Sequence, residues 1–285
     1  MKHTVKLTAL ALSLALALTA CGSGASSAPA VSSAPSSGAA SSAAAITIKV
    51  GASPTPHAEI LEQIKPLLAE QGINLEIVQF DDYVMPNTAL DAGDLDANYF
   101  QHKPYLDDFN AKKGTEIVSL GGIHFEPLGI YAGKTASIEA LADGAVIGIP
   151  SDNTNGARAL QLLAAQGLFT IDKDAGLNAT ELDIVENPHG YKIQALEAAQ
   201  LPASLPDLDL AVINGNYAVG AAIGDKCLVT EEKTSEAAQT YANILCVHAG
   251  DEQRPELVAL LNALRSETVA TFINETYDGV VVPTF

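Results

Sequence analysis

The chain is poor in positive charge. It carries 15 Lys and Arg against 34 Asp and Glu, a formal net charge of −19 over 285 residues. Proteins hold nucleic acid by setting Lys and Arg against phosphate, so this balance excludes a nucleic-acid partner. It equally excludes adhesion to an anionic bilayer by charge alone. Signatures of catalysis are missing too. There is no G-x-S-x-G elbow, no P-loop, no H-E-x-x-H and no dinucleotide glycine fingerprint after a strand. The six His are scattered, and neither His102 nor His124 stands four residues from another. Metal-ligand spacing of Cys and His is absent, so neither a metal nor a cofactor is expected. No apolar run reaches the ~20 residues that a membrane-spanning helix needs.

The N-terminus is informative. Lys2 and Lys6 precede an apolar run from Leu7 to Leu18, then Leu18-Thr19-Ala20-Cys21. This reads as a secretory signal peptide over residues 1–20. Its last residues, with Cys21, resemble a bacterial lipobox. That resemblance implies cleavage before Cys21 and lipid on its thiol and new amino group. Loss of Lys2 and Lys6 takes the charge from −19 to −21, so the lipid must supply the anchoring. Residues 22–45 are Ser, Ala, Gly and Pro with Val31 the single larger apolar residue. Such a segment cannot bury enough surface to fold and is expected to be a flexible tether with a reach of roughly 25–30 Å. The expected location is the extracytoplasmic face of the cell membrane. Cys227 and Cys246 are then an even pair in a protein that leaves the cytoplasm, and a disulfide between them is expected.

The remaining ~240 residues suffice for one large or two medium domains. Strand signals at Ile46–Gly51, Asn74–Phe80, Leu95–Phe100, Glu116–Leu120, Leu128–Ala132, Ala145–Pro150, Leu208–Ile213 and Asn243–His248 alternate with helical ones. The helical segments are His57–Gln71 (kinked at Pro66), Asn87–Ala92, Pro104–Lys112, Ser137–Leu141, Ala157–Gly167, Tyr217–Ile223, Pro255–Arg265 and Glu267–Tyr277. The alternation predicts an α/β protein with largely parallel sheets. Two lobes with a cleft between them suit this length, and ligands favour such interfaces. Acidic runs such as Asp81-Asp82, Asp107-Asp108 and Glu231-Glu232 read as solvated faces.

Recognition groups cluster at three strand ends. Pro150 to Arg158 follows a buried strand and opens a helix, where backbone N–H groups favour anions. Arg158, expected in the first turn, offers a bidentate fork for a carboxylate. Asn98 to Tyr105 sets Phe100, His102 and Tyr105 at a strand end, and with Tyr83 they would line an apolar slot. Ile213 to Tyr217 brings Asn214 and Asn216, whose amides both donate and accept, as a zwitterion requires.

Longer blocks carry a resemblance. Pro56-His57-Ala58-Glu59-Ile60-Leu61, the Asp82–Leu90 segment, Leu95–His102 and Asp209–Tyr217 resemble the NlpA family of methionine-binding lipoproteins. Val185-Glu186-Asn187-Pro188 and Val281–Phe285 fit as well. Residues 219–241 depart from the family pattern, and Phe125 and Leu128 stand where valine and methionine are more usual. The resemblance implies a two-lobed periplasmic-binding-protein fold, type II-like, with 46–130 and 243–285 in lobe I and 131–242 in lobe II. It implies no enzyme activity, and a partner permease driven by an ATPase in an ABC importer of methionine. It assigns the aromatic wall to Tyr83, Phe100 and Tyr105 with His102, and the carboxylate clamp to Arg158 with Asn155. Asn214 and Asn216 are candidates for the amine or carboxylate, Asn214 being favoured. The same fold holding another amino acid or a methionine-containing dipeptide stays open, and a surface adhesin is the more distant alternative.

Overall fold

A computed structural model describes residues 45–232 and 239–285. The expected signal peptide, Cys21 and nearly all of the tether lie outside them. Two sheets organise the chain, and each carries its own apolar core. The first is six-stranded. It is built from β1 (Ile46–Ala52), β2 (Ile73–Gln79), β3 (Ala97–His102), β4 (Ile117–Phe125), β12 (Asn243–His248) and β13 (Val282–Pro283). The second is five-stranded. It holds β5 (Gly129–Ala132), β6 (Val146–Pro150), β9 (Lys192–Leu196), β10 (Leu210–Ile213) and β11 (Cys227–Thr230). Two short strands, β7 (Thr170–Ile171) and β8 (Ile184–Glu186), pair by themselves. This is the two-lobed periplasmic-binding-protein fold. The chain leaves the first sheet after β4 and returns to it at β12.

The sheets are less parallel than the alternation predicts. β1 pairs in parallel with β2 and β3, and β6 with β9 and β10. By contrast β12 runs antiparallel between β3 and β4, and β5 antiparallel between β10 and β11. Strands joined by a crossover helix come out parallel. β12 instead arrives from the other lobe and threads in from the opposite end.

Helix α1 (Glu59–Ala69) accommodates Pro66 and buries Ile60, Leu61, Ile64 and Leu68, an i, i+1, i+4, i+8 stripe that packs on the first sheet. α3 (Lys103–Lys113) starts where His102 caps it and stops at Gly114 with φ 71°, the left-handed ending that glycine tolerates best. β4 runs past its expected end because Gly121 and Gly122 stay in the strand. Gly121 has φ 144°, a backbone conformation that residues other than glycine adopt only with strain. The continuation carries His124 and Phe125 into the interior.

The expected disulfide is not formed. Cys227 and Cys246 are both free. Cys227 lies in β11, pairing with Tyr131 of the second sheet. Cys246 lies in β12 of the first, fully buried, with Gln101 Nε2 donating to its sulfur at 3.5 Å. Bridging them would pull one strand out of its sheet, a cost that outweighs the ~3 kcal/mol available from closing a loop of this length.

Candidate functional site

Strand ends of both sheets meet around one cleft. Tyr83, Phe100, His102 and Tyr105 line it from the first lobe, and Asn155, Arg158, Asn214 and Asn216 from the second. The structure therefore brings together every pocket residue named from the sequence. What each contributes differs in part from expectation.

Aromatic rings form one end of the cleft. Phe100 and Tyr105 lie 5.9 Å from Tyr83 between ring centroids and 6.1 Å from each other. Tyr105 Oη donates to the carbonyl of Tyr83 at 3.0 Å and ties the loop carrying Tyr83 to α3. These rings present apolar faces to the cleft while the hydroxyls of Tyr83 and Tyr105 bond to other protein groups. Burial pushes the Tyr83 hydroxyl well above its ordinary pKa, so it remains a donor. It donates a hydrogen bond to Asn216 Oδ1 at 2.6 Å. Asn216 thus has its carbonyl spent on holding the lobes together. Tyr217 Oη to the Asp81 carbonyl at 3.0 Å is a second such tie.

His102 is a neutral strut. Its Nδ1 accepts from the Tyr105 N–H at 3.2 Å, so the proton sits on Nε2, which donates to Asn155 Oδ1 at 3.0 Å. Burial, then the nearby Arg158, hold its pKa down at about 3. Asn155 Oδ1 also accepts from Asn214 Nδ2 at 2.9 Å. Its own Nδ2 turns to both oxygens of Asp152, each at 3.0 Å. Asn155 is therefore a relay in the wall. The amide hydrogens that would grip a carboxylate are directed at Asp152.

Asp152 corrects a second expectation. It caps α4 (Asn153–Ala165), accepting from the Asn155 N–H at 2.9 Å. The helix begins ahead of the expected Ala157, and Arg158 falls in its second turn. A carboxylate of the protein already occupies the helix start.

Several polar atoms lining the cleft have no hydrogen bond among the described residues, Asn214 Oδ1, Arg158 Nη1 and Asn216 Nδ2 among them. Asn214 Oδ1 is buried with no hydrogen-bond partner. Arg158, 3% exposed, uses Nε and Nη2 on Glu231 at 2.8 and 2.5 Å and Nη2 again on the Glu126 carbonyl at 3.0 Å. Among the described residues Nη1 has no hydrogen bond. Beside them sits the Glu126 carboxylate, 6% exposed. His124 Nε2 donates to it at 2.7 Å, and His57 Nε2 stands 3.5 Å away. It packs on Gly215, where a Cβ would meet Glu126 Cβ at 2.7 Å. Burial raises its pKa above 4.5. Burial also lowers His57 to about 4 and His124 to about 3, leaving both neutral. His57, His124 and Glu126 can reach a common centre, a clustering that no spacing in the sequence announces.

The model of the NlpA lipoprotein family matches residues 48–285. This chain belongs to the NlpA lipoprotein family. It is 39% identical over 235 residues to the membrane lipoprotein TpN32 of Treponema pallidum, covering 82% of this chain and 86% of that one. To the D-methionine-binding lipoprotein MetQ of Salmonella typhimurium it is 38% identical over 240 residues, with 82% and 87% covered. Among solved structures, a nutrient binding protein from Burkholderia cenocepacia bound to methionine superposes with TM-score 0.79 at 42% identity, over 84% of this chain and all of that one.

Sequence reasoning missed residues in and behind this NlpA lipoprotein's cleft: Glu126, Gln101 and Asn243 line it, and Tyr217 and Glu231 support residues that do. Glu126 stands between Phe125 and Pro127, and an acid flanked by buried apolar residues at a strand end was the available signal. Tyr217 packs on Tyr83 at 5.0 Å. Glu231, read as part of a solvated acidic run, holds Arg158.

Proposed function

We propose that this protein captures methionine as a zwitterion in the cleft and delivers it to an ABC importer. The observation that carries the reading is the polarity of the cavity. One end is a wall of three aromatic rings. The other presents an unspent Arg158 Nη1, an unspent Asn214 Oδ1 and the Glu126 carboxylate. The thioether chain would lie against Tyr83, Phe100 and Tyr105, where burying a side chain of this size is worth about 1.5–3 kcal/mol and each sulfur–aromatic contact about 0.3–1.5. The ligand's carboxylate would take Nη1, and its ammonium would sit between Asn214 Oδ1 and Glu126. Methionine has about nine non-hydrogen atoms, and a ceiling near ~1.5 kcal/mol each permits nanomolar binding only with near-complete enclosure. Closure of the lobes supplies that enclosure, and among the described residues no nucleophile–base pair stands in the cleft.

Calorimetry on protein stripped of co-purified ligand tests the reading. Methionine is expected to bind, norleucine more weakly, and aspartate and lysine not at all, because neither charged chain pairs with anything on the aromatic wall. Equal affinity for methionine and aspartate would sink it. A methionine-containing dipeptide in place of methionine would shift the assignment to the wider alternative.

Lipid attachment at Cys21 would hold the protein near its permease and raise its effective concentration there. Cys21→Ala is expected to release the protein from the membrane fraction while leaving methionine affinity unchanged, as fractionation and calorimetry will read. Retention in membranes of cells lacking the transporter would refute the anchor.

A further inference from the structure

Arg158 is buried, and a buried guanidinium needs a counter-ion in the empty cleft as well as in the filled one. Glu231 is that counter-ion. Its carboxylate takes the whole Nε–Nη2 edge, at 2.8 and 2.5 Å. It is itself fixed by backbone: Oε2 accepts from the Leu128 N–H at 3.0 Å, and the Glu231 N–H donates to the Leu128 carbonyl at 3.0 Å. The ring of Tyr241 lies under the guanidinium, 4.3 Å from Cζ, and Phe125 stands 5.6 Å away. The Glu126 carbonyl takes the remaining Nη2 hydrogen. Edge and face are thus fixed by groups from separate segments, after β4, after β11 and before β12.

We propose that Glu231, with Tyr241, is a positioning residue for ligand binding: it occupies one edge of Arg158 so that Nη1 is the corner offered to the ligand's carboxylate. This rests on the reading of the cleft as an amino-acid site. Two consequences follow from the charge and the geometry. The carboxylate is gripped end-on at Nη1, because the side-on seat belongs to Glu231. Arg158 also stays in place in the empty protein, so binding does not have to order it, and preorganisation of this kind lowers the cost of association. The opposite role is a competitor, with Glu231 keeping the ligand's seat warm until the ligand evicts it. The fixation of Glu231 by Leu128 argues against eviction, since leaving would strand a backbone N–H.

The experiment compares wild type, Glu231→Gln, Arg158→Ala and the double variant by calorimetry with methionine, and by competition with methioninol, which lacks the carboxylate. Glu231→Gln is expected to weaken methionine roughly 10- to 100-fold, and to add little on the Arg158→Ala background, since contacting residues couple by this much. Methioninol affinity should change little, because the effect passes through the carboxylate. Tyr241→Leu keeps the ion pair and should act in the same direction more weakly, which preserves the test if Glu231→Gln folds poorly. Tighter or unchanged methionine binding in folded Glu231→Gln overturns the proposal. So does an equal loss for methionine and methioninol, or full additivity with Arg158→Ala. Wild-type protein that binds no methionine refutes the proposed function and this inference together; wild-type binding with an unchanged Glu231→Gln refutes the inference alone.

Discussion

Arg158→Ala is expected to weaken methionine binding by about 2–5 kcal/mol, roughly 30- to several-thousand-fold. Two losses combine. The ligand's carboxylate would enter a cleft that has lost its guanidinium, and Glu231, whose side chain is 11% exposed, would keep its charge with, among the described residues, the Leu128 N–H alone to answer it. The second loss falls on the fold as well as on binding, so the variant should melt at lower temperature. Arg158→Lys separates the two. A Lys ammonium can neutralise Glu231 but lacks the planar fork needed to serve Glu231, the Glu126 carbonyl and a ligand at once. It should recover much of the melting temperature and little of the affinity. Methionine affinity unchanged in Arg158→Ala would remove Arg158 from the site.

The contrast between Arg158 and Glu231 shows what the sequence could convey. Arg158 was legible because a cation is rare in this chain and stands at a strand–helix junction. The aromatic wall was legible because Phe100, His102 and Tyr105 fall together at the end of one strand. Most strands were legible from apolar runs. Glu231 was not, because its neighbour Glu232 is exposed and the pair looks like any solvated acidic run. Its role depends on β11 lying beside β5, a pairing set by tertiary structure. The same limit explains Asn155, which lines the cleft and whose amide is claimed by Asp152 three residues earlier. It explains the cysteines too. Their even number suggested a bridge, but β12 crosses back to the first sheet and carries Cys246 away from β11. Edge strand β9, whose residues are mostly exposed or half-buried, offered no apolar run to find.

Methionine affinity is expected to fall as the solution is acidified toward pH 4.5, and Glu126→Gln should abolish that dependence. In the empty cleft burial raises the Glu126 carboxyl above 4.5, with His57, the Asn216 N–H and Arg158 opposing the rise. A ligand ammonium beside it favours the ionised form. Binding below the raised pKa must therefore release a proton, and affinity drops by up to about tenfold per pH unit there. Above that pKa the carboxylate is already ionised and the profile should be flat. His57, at about 4, and His102 and His124, at about 3, stay neutral through the window and do not add to the slope. The two histidines against Glu126 govern stability instead. Unfolded, they take up protons near 6.5, and folded they do not until far lower. Their contribution is therefore present above 6.5 and is lost as pH falls toward about 4. Glu126 acts the other way, because acid relieves the cost of burying its charge. Melting curves taken alongside calorimetry keep the two effects apart, and affinities count only where the protein is folded. Gln keeps the volume of Glu126 and an acceptor for His124 but has no charge, so Glu126→Gln should bind methionine about 1.5–3 kcal/mol more weakly at neutral pH. A wild-type profile flat from neutrality down to pH 4.5, or a Glu126→Gln profile with the same slope, would show that the ammonium is held elsewhere in the cleft.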